Sequence, residues 1–94
     1  MEMDVPDDCF FHPQPATDQE TLLVHTPEYL EDLKSCRPTF RTLPSELPIT
    51  KEIIDSHFLA TGGTVLASRL ALERGRALNI TGGFHHCFPN KAEG

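Results

Sequence analysis

Capping residues and the spacing of apolar positions predict two short helices in the first half of the chain. Thr17 and Glu20 have the S/T-x-x-E spacing of a capping box, so a helix should begin after Thr17. A second helix is predicted over 27–35, because Thr26 can cap it and Pro27 suits the first helical position. Its apolar side chains share one stripe, which we expect to be buried: Tyr29, Leu30 and Leu33.

The longest predicted helix runs from Thr50 to Arg74, with Gly75 as its C-cap. Gly62 and Gly63 lie inside it, where each glycine costs about 1 kcal/mol relative to alanine. Two explanations are compatible with the pair, a close approach of a neighbouring backbone and a kink. We expect the close approach. The apolar residues of this helix are Ile53, Ile54, Phe58, Leu59, Val65, Leu66, Leu70 and Leu72.

A short strand is predicted over Arg76–Ile80, because this segment is brief, apolar and flanked by glycine. A helix followed directly by a strand indicates an α/β fold. Gly82 and Gly83 come next and allow a sharp turn before His85 and His86. Ligand sites of α/β proteins favour such loops at strand ends. The proline-containing stretches 1–16 and 37–48 are predicted to be extended segments or loops.

Composition narrows the class of protein. A chain of 94 residues suffices for one small domain, and its net charge of −6 disfavours a broad phosphate-binding surface, so no direct nucleic-acid binding is expected. The acidic start lacks signal-peptide character and no apolar run approaches the roughly 20 residues of a membrane span. The cysteines Cys9, Cys36 and Cys87 form no CxxC motif. We therefore expect a cytoplasmic protein without membrane contact.

The adjacent histidines His85 and His86 are the first candidates for chemistry. Each imidazole can hold a proton near neutral pH, so the pair fits a proton-transfer dyad, although two polar loop residues would give the same dipeptide. A zinc site of these histidines with Cys87 and His57 is disfavoured, because adjacent residues point in different directions. Cys87 is more simply a small packed hydrophobe than an activated thiol. His57 is predicted to be a histidine at the edge of the core.

Three ordered segments resemble the front third of histone deacetylase-family proteins. They are LLVHTPEYLEDL, ATGGTVLASRLALERG and ALNITGGFHHCFPNKAEG, and together they are far more specific than the histidine pair alone. Their combination is most similar to class IV-like and bacterial deacetylase-like members. The resemblance runs from Pro13 to the end, so residues 1–94 are interpreted as a partial histone deacetylase domain with an extended segment, 1–12, outside the resemblance.

The resemblance implies a fold, a reaction and roles for particular residues. The fold would be the N-terminal, helix-rich portion of a three-layer arginase-deacetylase structure with a parallel sheet. The reaction would be zinc-dependent hydrolysis of acetylated lysine, with His86 as the general base and His85 supporting the transition state. Gly83 matches the turn before the histidines and Gly94 a glycine whose carbonyl lines the acyl-lysine channel, so both are predicted to bind substrate.

The resemblance also defines what this stretch lacks. The family's zinc ligands, the acidic partners of the two imidazoles and the group that polarises the carbonyl have no counterpart here, so the chain alone is expected to be inactive and to fold poorly. It leaves the substrate open between acetylated lysine and an acetylated small amine, and it leaves the oligomeric state open. Two other interpretations remain, a non-catalytic remnant that docks on an intact homologue and a small His/Cys metal-binding protein.

Overall fold

Three α-helices and one short β-hairpin are formed by the residues that the computed structural model describes, which are 6–81, 83 and 85–93. Short 3-10 turns occur at Asp7–Cys9 and Leu43–Ser45. The helices and strands in chain order are α1, Asp18–Thr21; α2, Pro27–Lys34; α3, Lys51–Arg74; β1, His86–Cys87; and β2, Ala92–Glu93. The helix-rich character expected from the sequence is confirmed.

The two short helices begin where the capping residues predict. Thr17 Oγ1 accepts a hydrogen bond from the Glu20 amide at 3.1 Å, and Glu20 Oε1 accepts one from the Thr17 amide at 3.0 Å, which completes the predicted capping box. This hydrogen bonding by the Thr17 backbone amide lowers the pKa of Glu20. Thr26 Oγ1 caps α2 by accepting from the Tyr29 amide at 3.3 Å. The stop is also close to the prediction, since α2 ends at Lys34.

The extended segment before α1 crosses α3 at Gly62. The Ala16 amide donates a hydrogen bond to the Phe58 carbonyl at 2.8 Å, which brings the two backbones together. A Cβ at position 62 would lie 1.8 Å from the Gln14 carbonyl oxygen, so only glycine fits at this crossing. α3 continues through the glycines to Arg74 and ends at Gly75, whose φ of 96° is left-handed. The close approach explains Gly62, as predicted.

The strand predicted over Arg76–Ile80 is wrong, since residues 76–79 have no regular secondary structure. A strand needs a neighbouring strand to take up its backbone hydrogen bonds, and no such neighbour lies beside this segment among the described residues. Leu78 and Ile80 are 82% and 81% exposed, so the apolar run that suggested a strand is uncovered. The expected parallel sheet does not occur in the described part of the chain, where the one ladder is antiparallel.

A buried carboxylate organises the loop after α2. Asp32, only 4% exposed, accepts hydrogen bonds from the Thr39 hydroxyl and from the Arg41 guanidinium, each at 2.7 Å. These contacts hold the pKa of Asp32 below its usual value, the hydrogen bond from Thr39 being the largest cause. Thr42, which is fully buried, donates its hydroxyl to the Arg37 carbonyl at 2.8 Å. The loop is therefore fixed by polar contacts.

The hairpin is attached to this loop and to the start of α2. The Ala92 amide donates to the Arg41 carbonyl at 2.7 Å, and the Thr26 amide donates to the Pro89 carbonyl at 2.8 Å. Both attachments are backbone hydrogen bonds, so the position of the hairpin depends on the backbone conformation of the loop and of the start of α2.

None of the described helices is long and apolar enough to cross a membrane. The buried apolar residues of the small core are Ala16, Tyr29, Leu30, Ile54 and Ala92.

Replacing Gly62 with alanine should destabilise the protein by about 1–3 kcal/mol, the usual cost of overpacking a tight contact. The added Cβ would collide with backbone at Gln14, which cannot move aside as a flexible side chain can. The urea midpoint of the helical circular dichroism signal measures the loss. Thr61→Ala, a change at the exposed neighbouring position of α3, is the control and should leave the midpoint nearly unchanged. Equal midpoints for both variants would contradict the crossing.

Asp32→Asn should lower the free energy of unfolding near neutral pH, because it removes the charge that Arg41 faces. The folded-state pKa of Asp32 lies below its usual 3.8, so its stabilising contribution is present above that value. The contribution is lost as the pH falls through the folded pKa. The stability difference between wild type and variant should thus shrink below about pH 4. Urea titrations at several pH values test this, and a difference that stays constant down to low pH would contradict it.

Candidate active site

The two adjacent histidines lie at the start of the hairpin, in different surroundings. His86 is the first residue of β1 and pairs with Glu93, while Cys87 pairs with Ala92. His85 precedes the strand and is partly buried, whereas His86 is exposed. The predicted pair therefore consists of one held ring and one accessible ring.

His85 is held by a backbone group of the loop after α2. Its Nε2 lies 3.0 Å from the carbonyl oxygen of Ser45, in the 3-10 turn Leu43–Ser45. A carbonyl oxygen only accepts hydrogen bonds, so we assign the proton of the neutral His85 ring to Nε2. The assignment leaves Nδ1 as the nitrogen that can take up or release a proton. The Ser45 carbonyl thus selects a tautomer as well as a position.

A cavity of about 120 Å³ lies between α2, α3 and the hairpin, and both histidines line it. Most of its wall is aliphatic or aromatic, so the polar groups that enter it interact in a surrounding of low dielectric constant, where electrostatic interactions are stronger than in water. Such a space holds several water molecules or a small chemical group. The lining residues are Tyr29, Leu33, Thr42, Ser45, Leu47, Ile49, Ile53, Ile54, His57, Phe58, His85, His86 and Ala92.

A third imidazole, that of His57, reaches the same cavity from α3. Its ring centroid lies 5.7 Å from that of His85, with the two planes tilted by 39°. Burial lowers the pKa of His57, and the nearby His85 lowers it further. His57 was predicted to lie at the edge of the core, and its proximity to His85 was not predicted. Helical spacing could have indicated it, because His57 shares a face with Ile53 and Ile54.

The other predicted site residues fare differently. Gly83 is exposed, and a Cβ added there would meet nothing within 4 Å, so the described structure shows no steric need for glycine. Gly82 and Gly94 lie outside the described residues. Cys87 is exposed on β1, which makes the interpretation as a packed hydrophobe wrong, because none of the described residues buries its side chain.

A zinc site does not fit the described residues. Nowhere within 6–81, 83 and 85–93 do three or more histidine, cysteine, aspartate or glutamate side chains converge as a metal site would require. His57, His85 and His86 line one cavity, but catalytic zinc sites use three protein ligands in a defined geometry around an open position. The arrangement is suited to proton transfer and hydrogen bonding.

Comparison with known proteins identifies the class to which this arrangement belongs. Residues 2–94 match the family described as histone deacetylase domain, so the chain belongs to the histone deacetylase family. It is 37% identical over 90 residues to Histone deacetylase 2 of Arabidopsis thaliana, covering 87% of this chain and 23% of that protein.

A second relative, an uncharacterized protein of Picosynechococcus sp., is 37% identical over 75 residues, covering 77% of this chain and 24% of the relative. The chain therefore spans about a quarter of the length of these curated relatives. No solved structure shows a significant match. The match to the family begins at residue 2, earlier than Pro13, where the sequence resemblance was predicted to begin.

Asn79 fixes the segment that leads from α3 to the histidines. Its Nδ2 donates to the Ala60 carbonyl at 3.0 Å and to Thr64 Oγ1 at 2.9 Å. Its Oδ1 would lie 2.9 Å from a Cβ at Gly63, so the second glycine of α3 makes room for this amide. Gly62 and Gly63 are therefore glycines for different reasons. Gly62 allows a backbone crossing, and Gly63 makes room for a side-chain contact.

Asn79→Ala should loosen this segment, because each lost hydrogen bond contributes about 1 kcal/mol. The two bonds of Asn79 Nδ2 together contribute about 2 kcal/mol, and their loss should raise local opening roughly 30-fold. Limited trypsin digestion measures this as faster cleavage after the exposed Arg76. Asn90→Ala, at an exposed asparagine in the hairpin turn, is the matched control and should leave the rate unchanged. Unchanged cleavage in both variants would show that Asn79 does not hold the segment.

Proposed function

We propose that this chain supplies the proton-transfer histidines of a lysine deacetylase, a hydrolase that cleaves the amide of an acetylated lysine side chain. Membership of the histone deacetylase family supports the reaction class. The similarity to a relative named Histone deacetylase 2 supports it as well. Family membership alone assigns no role to a residue, so the roles are argued from the site.

The observation that carries the proposal is the unequal placement of His85 and His86 at one cavity. His85 is anchored through Nε2 to the Ser45 carbonyl, and His86 is exposed on the first residue of β1. Amide hydrolysis needs one group that removes a proton from the attacking water and another that stabilises developing charge. A free imidazole beside a fixed imidazole meets both requirements.

His86 is the general base in this proposal, because its exposed ring can reach a water molecule and a substrate. It takes the proton of the water as the oxygen attacks the acetyl carbonyl carbon, and the C–N bond breaks from the resulting tetrahedral species. The histidine pair returns a proton to the leaving lysine nitrogen, so acetate and a free amine are released. His85, fixed by Ser45, offers a positioned imidazole that supports the charged transition state.

The surrounding fold is proposed to be the N-terminal portion of a three-layer arginase-deacetylase structure with a parallel sheet. Parallel strands are buried on both faces and consist of apolar runs. Leu72, Leu78 and Ile80 are more than four-fifths exposed, which supports a further layer over this edge. Zinc is the cofactor that the family implies, but the described residues do not fit its site, and none of the steps above is assigned to a metal.

The substrate is proposed to be acetylated lysine, with an acetylated small amine as the variant that the same histidines would serve. Gly83 and Gly94 are proposed to line the substrate site, on the strength of the motif resemblance. Because the chain has a net charge of −6, it is expected to bind such substrates without binding nucleic acid directly. We propose a cytoplasmic location on the same composition.

The proposal is tested with the protein at its natural length and an acetyl-lysine peptide. His86→Ala and His85→Ala should each lower kcat by about 10²–10⁴, the usual contribution of acid–base groups. His12→Ala, which removes a histidine from the exposed N-terminal segment, is the matched control and should keep full activity. Wild-type activity in His86→Ala would refute its role as the base.

A non-catalytic role as a docking piece is the second candidate, favoured by the same exposed side chains of Leu72, Leu78 and Ile80. Such a surface could pair with an intact homologue. The intact mass of the protein in its source cells separates the two candidates. A mass several times 10.5 kDa supports the deacetylase. A mass near 10.5 kDa, with an intact deacetylase recovered on affinity capture, supports the docking piece.

A further inference from the structure

We propose that His57 is a positioning residue for His85, holding the ring of that histidine against the Ser45 carbonyl. The inference rests on the proposed function, because it concerns the geometry of the same histidine pair. It assigns a role to a residue of α3 that the sequence motifs leave out. Three observations lead to it: the ring contact, the fixed position of His57 on α3, and the charges that the cavity contains.

The ring contact is direct. The centroids of His57 and His85 are 5.7 Å apart and tilted by 39°, within the range over which planar rings pack favourably. Ser45 holds Nε2 of His85 at 3.0 Å. His85 is therefore touched by a helix side chain as well as a loop carbonyl, and rotation of its ring would break one contact or the other. Two contacts from separate elements define an orientation better than one.

The helix gives His57 a fixed position. α3 is continuous from Lys51 to Arg74, and its N-cap Thr50 accepts a hydrogen bond from the Ile53 amide at 3.3 Å. His57 lies one turn after Ile53 and next to Phe58, whose carbonyl accepts the crossing Ala16 amide. Side chains on well-supported helices hold a geometry more closely than side chains on loops. The irregular segment that carries His85 is thus positioned by its contact with the regular helix α3.

The charges at the cavity favour a neutral His57. The titratable side chains that line it, within the described residues, are Tyr29, His57, His85 and His86, and no carboxylate is among them. Burial raises the pKa of Tyr29, which keeps that phenol uncharged. Burial and the proximity of His85 both lower the pKa of His57. A proton on His57 is disfavoured by burial and by the neighbouring His85, so His57 packs against His85 as a neutral ring.

The test uses the protein at its natural length, labelled with ¹⁵N at histidine, and follows the imidazole nitrogens by NMR as the pH is varied. His85 should show one tautomer, with the proton on Nε2, in wild type and in His57→Phe, which keeps a planar ring. In His57→Ala the His85 nitrogen shifts should move toward the average of two tautomers. His12→Ala, which removes an exposed histidine, should change neither signal.

A reciprocal variant keeps the test independent of how well His57→Ala folds. His85→Gln should raise the titration midpoint of His57, since one of the two causes of its lowered pKa is removed. The midpoint should stay below 6.5, because burial remains. An unchanged His57 midpoint in His85→Gln, together with a single His85 tautomer in His57→Ala, would overturn the proposal.

Activity gives a second readout. His57→Ala should lower kcat roughly 10- to 100-fold through a misplaced ring, and His57→Phe should recover most of it, which a general loss of stability would not predict. Equal activity in His57→Ala and wild type would count against positioning. The NMR measurements need no turnover. An inactive wild-type protein would therefore refute the proposed function while the contact between His57 and His85 could still be established.

Discussion

The rest of the structure depends on the hydrogen bonds and the ion pair that the buried carboxylate of Asp32 makes. A charge removed from water is tolerated only when it is paired and hydrogen-bonded, and Thr39 and Arg41 meet that condition. Their bonds fix the loop after α2, whose Arg41 carbonyl accepts a hydrogen bond from the Ala92 amide in the second strand of the hairpin. The first residue of that hairpin is His86. An ion pair on α2 thus determines where a catalytic candidate is presented far along the chain.

Local signals in the sequence were sufficient for the helices. Thr17, Thr26 and Gly75 cap their helices through contacts with residues three or four positions away, which short motifs report directly. Gly62 was predicted to mark a close approach, because a glycine within a helix needs a compensating contact. The apolar run at Arg76–Ile80 led to the wrong prediction of a strand. A strand depends on a partner strand elsewhere in the chain, and Asn79 of this segment instead donates a hydrogen bond to α3.

The candidate site was predictable in part. His85 and His86 were found from their adjacency and their glycine-rich approach, and the structure brings both to one cavity. His57 was missed because its contact with His85 joins positions that no local period relates, although its helix face gave a hint. The hairpin was missed for a similar reason, since two strands of two residues each leave no alternating pattern to read. Long-range contacts decide both cases.

The contact between His85 and Ser45 is made by a main-chain oxygen. Any residue type at position 45 supplies that oxygen, so side-chain substitution there leaves the acceptor in place. A mutational scan, which changes side chains alone, would overlook an atom that selects the tautomer of the His85 imidazole. Recognising it requires changing the backbone itself, for example by replacing an amide with an ester, or altering the turn Leu43–Ser45 that aims the carbonyl. Tolerance to substitution and functional irrelevance are separate properties at such a site.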